Sequence, residues 1–162
     1  MHYYDYYQSP RGRMLLVADD KALTGVYFTG QKYQPHIEEG WRRDAQHAPL
    51  RRAKRELAEY FGGTRTRFTV KISPTGTPFQ RAVWKAITGV GFGRTIAYAE
   101  LARRAGRPGS ARAAGAATGR NPIGIIVPCH RIVGSNGALT GYAGGLAKKR
   151  ALLAMEGTGV DQ

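Results

Sequence analysis

At 162 residues and 42% hydrophobic, the chain has room for one ordinary domain or two small ones with a buried core, which excludes a disordered polymer. No run approaches the ~20 apolar residues that span a bilayer, and the start, Met1-His2-Tyr3-Tyr4-Asp5, lacks the basic flank and apolar core of a signal peptide, so a cytoplasmic protein without membrane partners is expected. The net charge of +14 is unevenly placed: residues 1–70 hold 12 Lys/Arg against 8 Asp/Glu, residues 71–162 hold 13 against 3.

The first part reads as strands followed by a helix. Residues 3–7, 13–18 and 22–28 are short aromatic or aliphatic runs, separated by Ser9-Pro10-Arg11-Gly12 and Asp19-Asp20-Lys21, which are turn chemistry. Residues 30–49 are polar and irregular and read as a loop. From Leu50, the apolar positions Ala53, Leu57, Tyr60 and Phe61 mark one helix face, and Gly62-Gly63 stops it. Residues 68–72 alternate as one further strand. This predicts a strand-rich N-terminal domain (antiparallel sheet plus helix) over 1–73, with a linker at 74–76.

The second part, 77–157 with a tail at 158–162, reads as mainly helical, making the whole an α+β protein. Thr77-Pro78 occupies the N-cap and first-turn positions of a helix whose buried stripe is Phe79, Val83 and Ile87. A short helix over 98–105 follows, then the break Gly106-Arg107-Pro108-Gly109, then a helix capped by Ser110 and closed by Gly119. Two short helices about a glycine turn suggest a helix-turn-helix. The positive excess of this half suits a polyanion, because each neutralised phosphate releases condensed counterions. A generally Arg-rich proteome would give the same charge.

The second of these helices carries Ala111, Ala113, Ala114, Gly115, Ala116 and Ala117, with Arg112 the only long side chain before Arg120. A helix that reads bases in the major groove needs several long polar side chains. A small-residue helix instead brings its backbone close to a narrow groove, with one Arg to probe the base stack. Packing of the Ala face against another helix is the alternative. If the helix binds DNA, contact without sequence readout is expected.

Residues 123–127 form an apolar run long enough for a buried strand, ended by Pro128, and Asn136-Gly137 between apolar residues signals a hairpin. Between them stand Cys129, His130 and Arg131. As the only cysteine, Cys129 excludes an intramolecular disulfide and Cys-rich zinc sites. His2, His36, His47 and His130 lack metal-ligand spacing, and no phosphate-cradling glycine motif occurs, so neither metal nor cofactor is expected. A lone cysteine is more often a small buried hydrophobe than a nucleophile, and an adjacent His does little to change that.

The surrounding run does change it. Asn121-Pro122-Ile123-Gly124-Ile125-Ile126-Val127-Pro128-Cys129-His130-Arg131-Ile132-Val133 resembles the active-site signature of the O6-alkylguanine-DNA alkyltransferases (methylated-DNA–protein-cysteine methyltransferases). Phe79-Gln80-Arg81-Ala82-Val83-Trp84, Phe92-Gly93-Arg94-Thr95-Ile96-Ala97-Tyr98, Ala111-Arg112-Ala113-Ala114-Gly115 and Gly141-Tyr142-Ala143-Gly144-Gly145-Leu146 resemble the family's other blocks in order. The resemblance is strong over 77–157; residues 1–73 match as a strand-rich cap of the expected size.

The resemblance implies direct-reversal repair: an alkyl group passes once and irreversibly from O6-alkylguanine in DNA to Cys129, with O4-alkylthymine as a further candidate substrate. The partner would be double-stranded DNA, bound in the minor groove without sequence preference by a monomer, with cooperative assembly on DNA left open and nucleoid association following in a prokaryote. Ala111, Arg112, Ala113, Gly115, Thr118 and Arg120 would face DNA, with Arg112 filling the gap left by the extruded base. Tyr98 would rotate the nucleotide out and donate to guanine N3. His130, oriented by Glu156, would reach Cys129 through a water, and Asn121 would hold the turn. The carbonyls of Cys129 and Ile132 and the amide of Ala143 would meet the base, Tyr142 and Gly144 would line the pocket, and Lys149 would tie down the cysteine-bearing segment. Many relatives carry Ser at position 143, so a hydroxyl donor to O6 is missing here. Rival readings are a cysteine hydrolase, which leaves the charge split unexplained, and a non-catalytic damage sensor, which would lack the cysteine. A methylation-responsive transcription factor would need a further metal-binding cysteine domain.

Overall fold

The computed structural model describes residues 1–158, in two compact units that divide between Thr75 and Gly76. Four of the residues expected as a tail, 159–162, lie outside the described range.

The first unit is built on three antiparallel strands, β1 (Tyr3–Ser9), β2 (Gly12–Ala18) and β3 (Leu23–Phe28), with a two-residue strand β4 (Arg42–Arg43) parallel to β1; the sheet order is β3-β2-β1-β4. The β1–β2 turn is closed by Ser9, whose Oγ donates to the Gly12 carbonyl at 2.7 Å and accepts the Arg11 amide at 3.1 Å. Gly12 sits at φ 126°, a left-handed value that suits glycine. The register sets Tyr4 opposite Val17 and Tyr6 opposite Leu15. Leu15, Val17 and Tyr27 accordingly cluster under Tyr4, Tyr6 and Trp41.

Helix α1 (Ala48–Phe61) starts two residues before Leu50, with Pro49 in its first turn, and packs Leu50, Ala53, Leu57 and Tyr60 into the core. It also carries the buried Glu56, and this side chain explains why residues 68–72 do not form the expected strand. Glu56 Oε1 accepts the Thr69 and Val70 amides at 2.9 and 3.1 Å, and Oε2 accepts the Thr69 hydroxyl at 2.7 Å. Two amides that a strand partner would use are satisfied by a carboxylate. Only a single bridge, Leu23 to Ile72, remains. Strand β4, two exposed arginines, lies within the span read as a loop.

The second unit opens with α2 (Pro78–Thr88). Thr77 and Gln80 form a reciprocal capping box, and Val83, Trp84 and Ile87 are buried. Helices α3 (Tyr98–Arg104) and α4 (Ala111–Gly119) follow, joined through Gly106 and Gly109, both at φ 86°. The Trp84 indole donates to the Ala117 carbonyl at 2.8 Å and anchors α4 to α2. Ser110 occupies the N-cap of α4, but its side chain makes none of the expected capping bonds.

The expected strand over 123–127 is instead a coiled, buried turn. The Val127 amide donates to Ile123 at 2.9 Å, the Ile126 amide donates to Gly124 at 2.7 Å, and Ile125 adopts φ 68°. Cys129–Arg131 then form one 3-10 turn, leading into β6 (Ile132–Val133), which pairs in parallel with β5 (Ile96–Ala97). The Asn136-Gly137 turn forms, with Gly134 donating to Ala138 at 2.9 Å. It closes no two-stranded hairpin, because the partner of Ile132 and Val133 is β5. Helix α5 (Leu146–Met155) buries Lys149, Leu152 and Leu153 and delivers Glu156 at its C-cap.

Candidate active site

The cysteine is placed by Asn121. Its Nδ2 donates to the Val127 carbonyl at 2.8 Å while its Oδ1 accepts the Ile123 amide at 3.0 Å, folding the apolar run back on itself. This carries Cys129 into the 3-10 turn, 7% exposed. Burial pushes its thiol up from the ordinary value, opposed by a hydrogen bond with Asn121 and by the charge of Lys149. At rest it is a thiol, and a nucleophilic role requires a proton acceptor.

His130 is fully buried beside it. Its Nε2 lies 2.8 Å from Glu156 Oε2. Burial pushes its pKa down, against the pull of Glu156, so the ring is neutral near pH 7. A neutral ring donating Nε2–H to a carboxylate keeps its lone pair on Nδ1, a tautomer assigned from this bond. Nδ1 is a buried side-chain atom with no hydrogen-bond partner among the described residues. A buried imidazole thus has one nitrogen fixed and the other available as a base.

Arg131, which sequence reasoning left without a role, completes the cluster. Its Nε and Nη2 meet the two Glu156 oxygens at 2.9 and 3.0 Å, and Nη1 donates to the Val90 carbonyl at 2.7 Å. A signal was present in the sequence. Residues 71–162 hold only three acidic residues, and Glu156 is the only one between Glu100 and Asp161, so few carboxylates could meet a buried Arg131 and His130. Gly93, at φ 79°, abuts the same helix end: a Cβ there would stand 3.3 Å from the Glu156 carbonyl.

Lys149, also fully buried, donates through Nζ to the carbonyls of Ile132 at 2.6 Å, Thr140 at 2.9 Å and Gly141 at 3.3 Å. Burial brings its pKa down to about 8. It ties β6 to the loop that carries Tyr142, Ala143 and Gly144, all half-buried. The Tyr142 and His130 rings stand nearly perpendicular, at 83°, with centroids 6.5 Å apart. The Ile132 carbonyl, expected to meet the base, already accepts from Lys149, and the Cys129 carbonyl accepts the Ile132 amide.

Tyr98 begins α3, half-buried; its Oη accepts the Thr140 hydroxyl at 3.3 Å, and its ring lies 3.6 Å from the position of a Cβ on Gly115 of α4. Burial pushes its phenol up. On α4, Arg112 and Ala113 are exposed, Ala111 and Gly115 half-buried, and Arg120 exposed at the C-cap. Thr118 departs from the expected DNA face. It is buried, and its hydroxyl donates to the Ala114 carbonyl at 2.7 Å, because it falls on the same helical face as Ala114.

Residues 2–74 match the ribonuclease-like domain, and residues 78–158 the DNA binding domain, of the 6-O-methylguanine DNA methyltransferase family models. The chain belongs to the methylated-DNA–protein-cysteine methyltransferase family. A methyltransferase of that name from Methanosarcina acetivorans is 44% identical over 156 residues, covering 96% of this chain and 99% of the relative. Another, from Mycolicibacterium paratuberculosis, is 43% identical over 148 residues, covering 91% and 88%. Among solved structures, the Mycobacterium tuberculosis OGT in complex with DNA superposes with a TM-score of 0.87 at 42% identity, covering 95% of this chain and 92% of that one. Cys129, His130 and Glu156 are all buried, with His130 hydrogen-bonded to Glu156. Among the described residues no helix is long and apolar enough to cross a membrane.

Proposed function

We propose that the chain removes an alkyl group from O6 of guanine in DNA, with O4-alkylthymine as a second candidate, and keeps it on Cys129. The observation that carries this reading is the unpartnered Nδ1 of a buried, neutral His130 whose Nε2 is held by Glu156. Such a group can take the proton of a thiol that burial keeps protonated, through one intervening water.

The Cys129 proton passes to His130 Nδ1, and the Glu156 carboxylate stabilises the imidazolium. The thiolate attacks the alkyl carbon; the S–C bond forms, the C–O6 bond breaks, and its electron pair moves into the purine. Tyr98 donates a proton at N3, exchange with solvent moves that proton to N1 to give ordinary guanine, and the imidazolium proton, returned through solvent, restores Tyr98. The products are a thioether and unmodified guanine. No group in the site can expel a thioether alkyl carbon, so each molecule acts once and needs no cofactor.

Delivery of the base rests on α4. Its exposed face offers small residues and Arg112, which suits minor-groove contact without sequence readout, Arg112 filling the space of an extruded nucleotide. Ala111, Ala113, Gly115 and Arg120 flank it, whereas Thr118 supports the helix from inside. Tyr142, Gly144 and the Ala143 amide line the pocket, and Ile132, Lys149 and Asn121 fix its walls.

The test is incubation with duplex DNA carrying a labelled O6-methylguanine, followed by denaturing electrophoresis. Label is expected to stay with the wild-type protein and to be absent from Cys129→Ala; label on the variant, or none on the wild type, rejects the reading.

A further inference from the structure

Thr140, exposed to solvent, is tied down by its carbonyl and its hydroxyl, with its methyl close to Gly134. Its carbonyl accepts the Lys149 ammonium at 2.9 Å, its Cγ2 lies 3.6 Å from the position of a Cβ on Gly134, and its hydroxyl donates to Tyr98 Oη at 3.3 Å. A β-branched side chain has few χ1 options, and here the methyl is seated over Gly134 while the hydroxyl faces Tyr98. The Tyr98 ring is meanwhile backed by Gly115. With the ring held and an Oη lone pair occupied, the remaining freedom of the phenol is the direction of its own proton.

We propose that Thr140 is a positioning residue: by donating to Tyr98 Oη, its hydroxyl turns the Tyr98 proton toward the purine that leaves when Cys129 takes the alkyl group. The role rests on the alkyl-transfer reading and on Tyr98 as the donor to the leaving base. Donation by Thr140 polarises the phenol, since a hydroxyl that accepts one hydrogen bond becomes a stronger donor of another. It also supports the negative charge that Tyr98 gains as its proton moves to N3, so the bond strengthens as the reaction proceeds. An interaction that is stronger in the transition state than in the bound substrate raises the rate rather than the affinity. Position 140 lies outside the residues that the family resemblance singled out, because the link depends on the loop over 134–145 folding back onto the first residue of α3.

The experiment compares wild type, Thr140→Val, which keeps the branched shape without the donor, and Thr140→Ser, which keeps the donor. Each is measured for single-turnover transfer from O6-methylguanine duplex DNA, for duplex affinity, and for Tyr98 titration by NMR of ring-labelled tyrosine. Thr140→Val should transfer about tenfold more slowly at unchanged affinity, while Thr140→Ser stays within about twofold of wild type. The Tyr98 titration should move upward in Thr140→Val alone. In a Tyr98→Phe background, Thr140→Val should add no further loss. A Thr140→Val rate equal to wild type, a Thr140→Ser rate as low as Thr140→Val, or an undiminished loss in the Tyr98→Phe background overturns the role while leaving alkyl transfer intact. A wild-type protein that takes no alkyl group overturns both.

Discussion

Arg131 grips both oxygens of Glu156, at 2.9 and 3.0 Å, and the Oε2 that it shares is the oxygen bound to His130 at 2.8 Å. The guanidinium fork matches the carboxylate plane, leaving Glu156 one orientation in which to meet the imidazole. All three side chains are buried, so the charges of Arg131 and Glu156 are compensated chiefly by each other.

Arg131→Gln should therefore destabilise the protein by about 3–5 kcal/mol, the cost of stranding a buried carboxylate. Arg103→Ala, which breaks a solvent-screened surface pair with Glu100, should cost far less. Urea unfolding of the two variants checks the contrast; equal losses would show that the buried cluster contributes no more than a surface pair.

The buried His130 sets a pH dependence with a definite sign. Burial lowers its folded pKa below the ordinary 6.5. As pH falls through 6.5 the unfolded chain binds a proton that the folded chain refuses, so stability declines toward the folded value and is greater above 6.5. The acid limb of the transfer rate should also lie below 6.5, since the base must be neutral. His130→Gln should remove this histidine component from both profiles; a rate limb above 6.5 would contradict the assignment.

Glu56 works in the opposite sense in the first unit. Its burial raises its pKa, but hydrogen bonds from Thr69, Arg52 and Val70 outweigh that and bring it down to about 2, from 4.5. The stabilisation is complete above 4.5 and fades as pH falls through about 2. Glu56→Gln should cost roughly 1–3 kcal/mol at pH 7 and flatten the acid limb between those values, as measured by thermal melts against pH.

Much of this was legible in the chain. Strands 3–9 and 12–18 follow from aromatic and aliphatic runs about a Pro-Arg-Gly turn, and Thr77-Pro78 marks the start of α2. The Cys129 neighbourhood was legible as a motif. What escaped were places where a polar side chain overrides local pattern. Glu56 takes the amides of residues 69 and 70, and Asn121 coils an aliphatic run that reads as a strand. Thr118, adjacent to exposed Gly119, turns inward because Ala114 one turn back is in the core. The Arg131 fork and the Thr140–Tyr98 link join residues 25 and 42 positions apart, and periodicity carries no information over such separations.

The central claim is that Cys129 is the sole and final acceptor of the alkyl group. The most direct measurement is intact mass, with peptide mapping, after incubation with an excess of O6-methylguanine duplex DNA. One added methyl group per protein molecule, confined to the peptide containing Cys129 and not increasing with further DNA, is the predicted result. A methyl group on another residue, or continued turnover with unmodified Cys129, would contradict it.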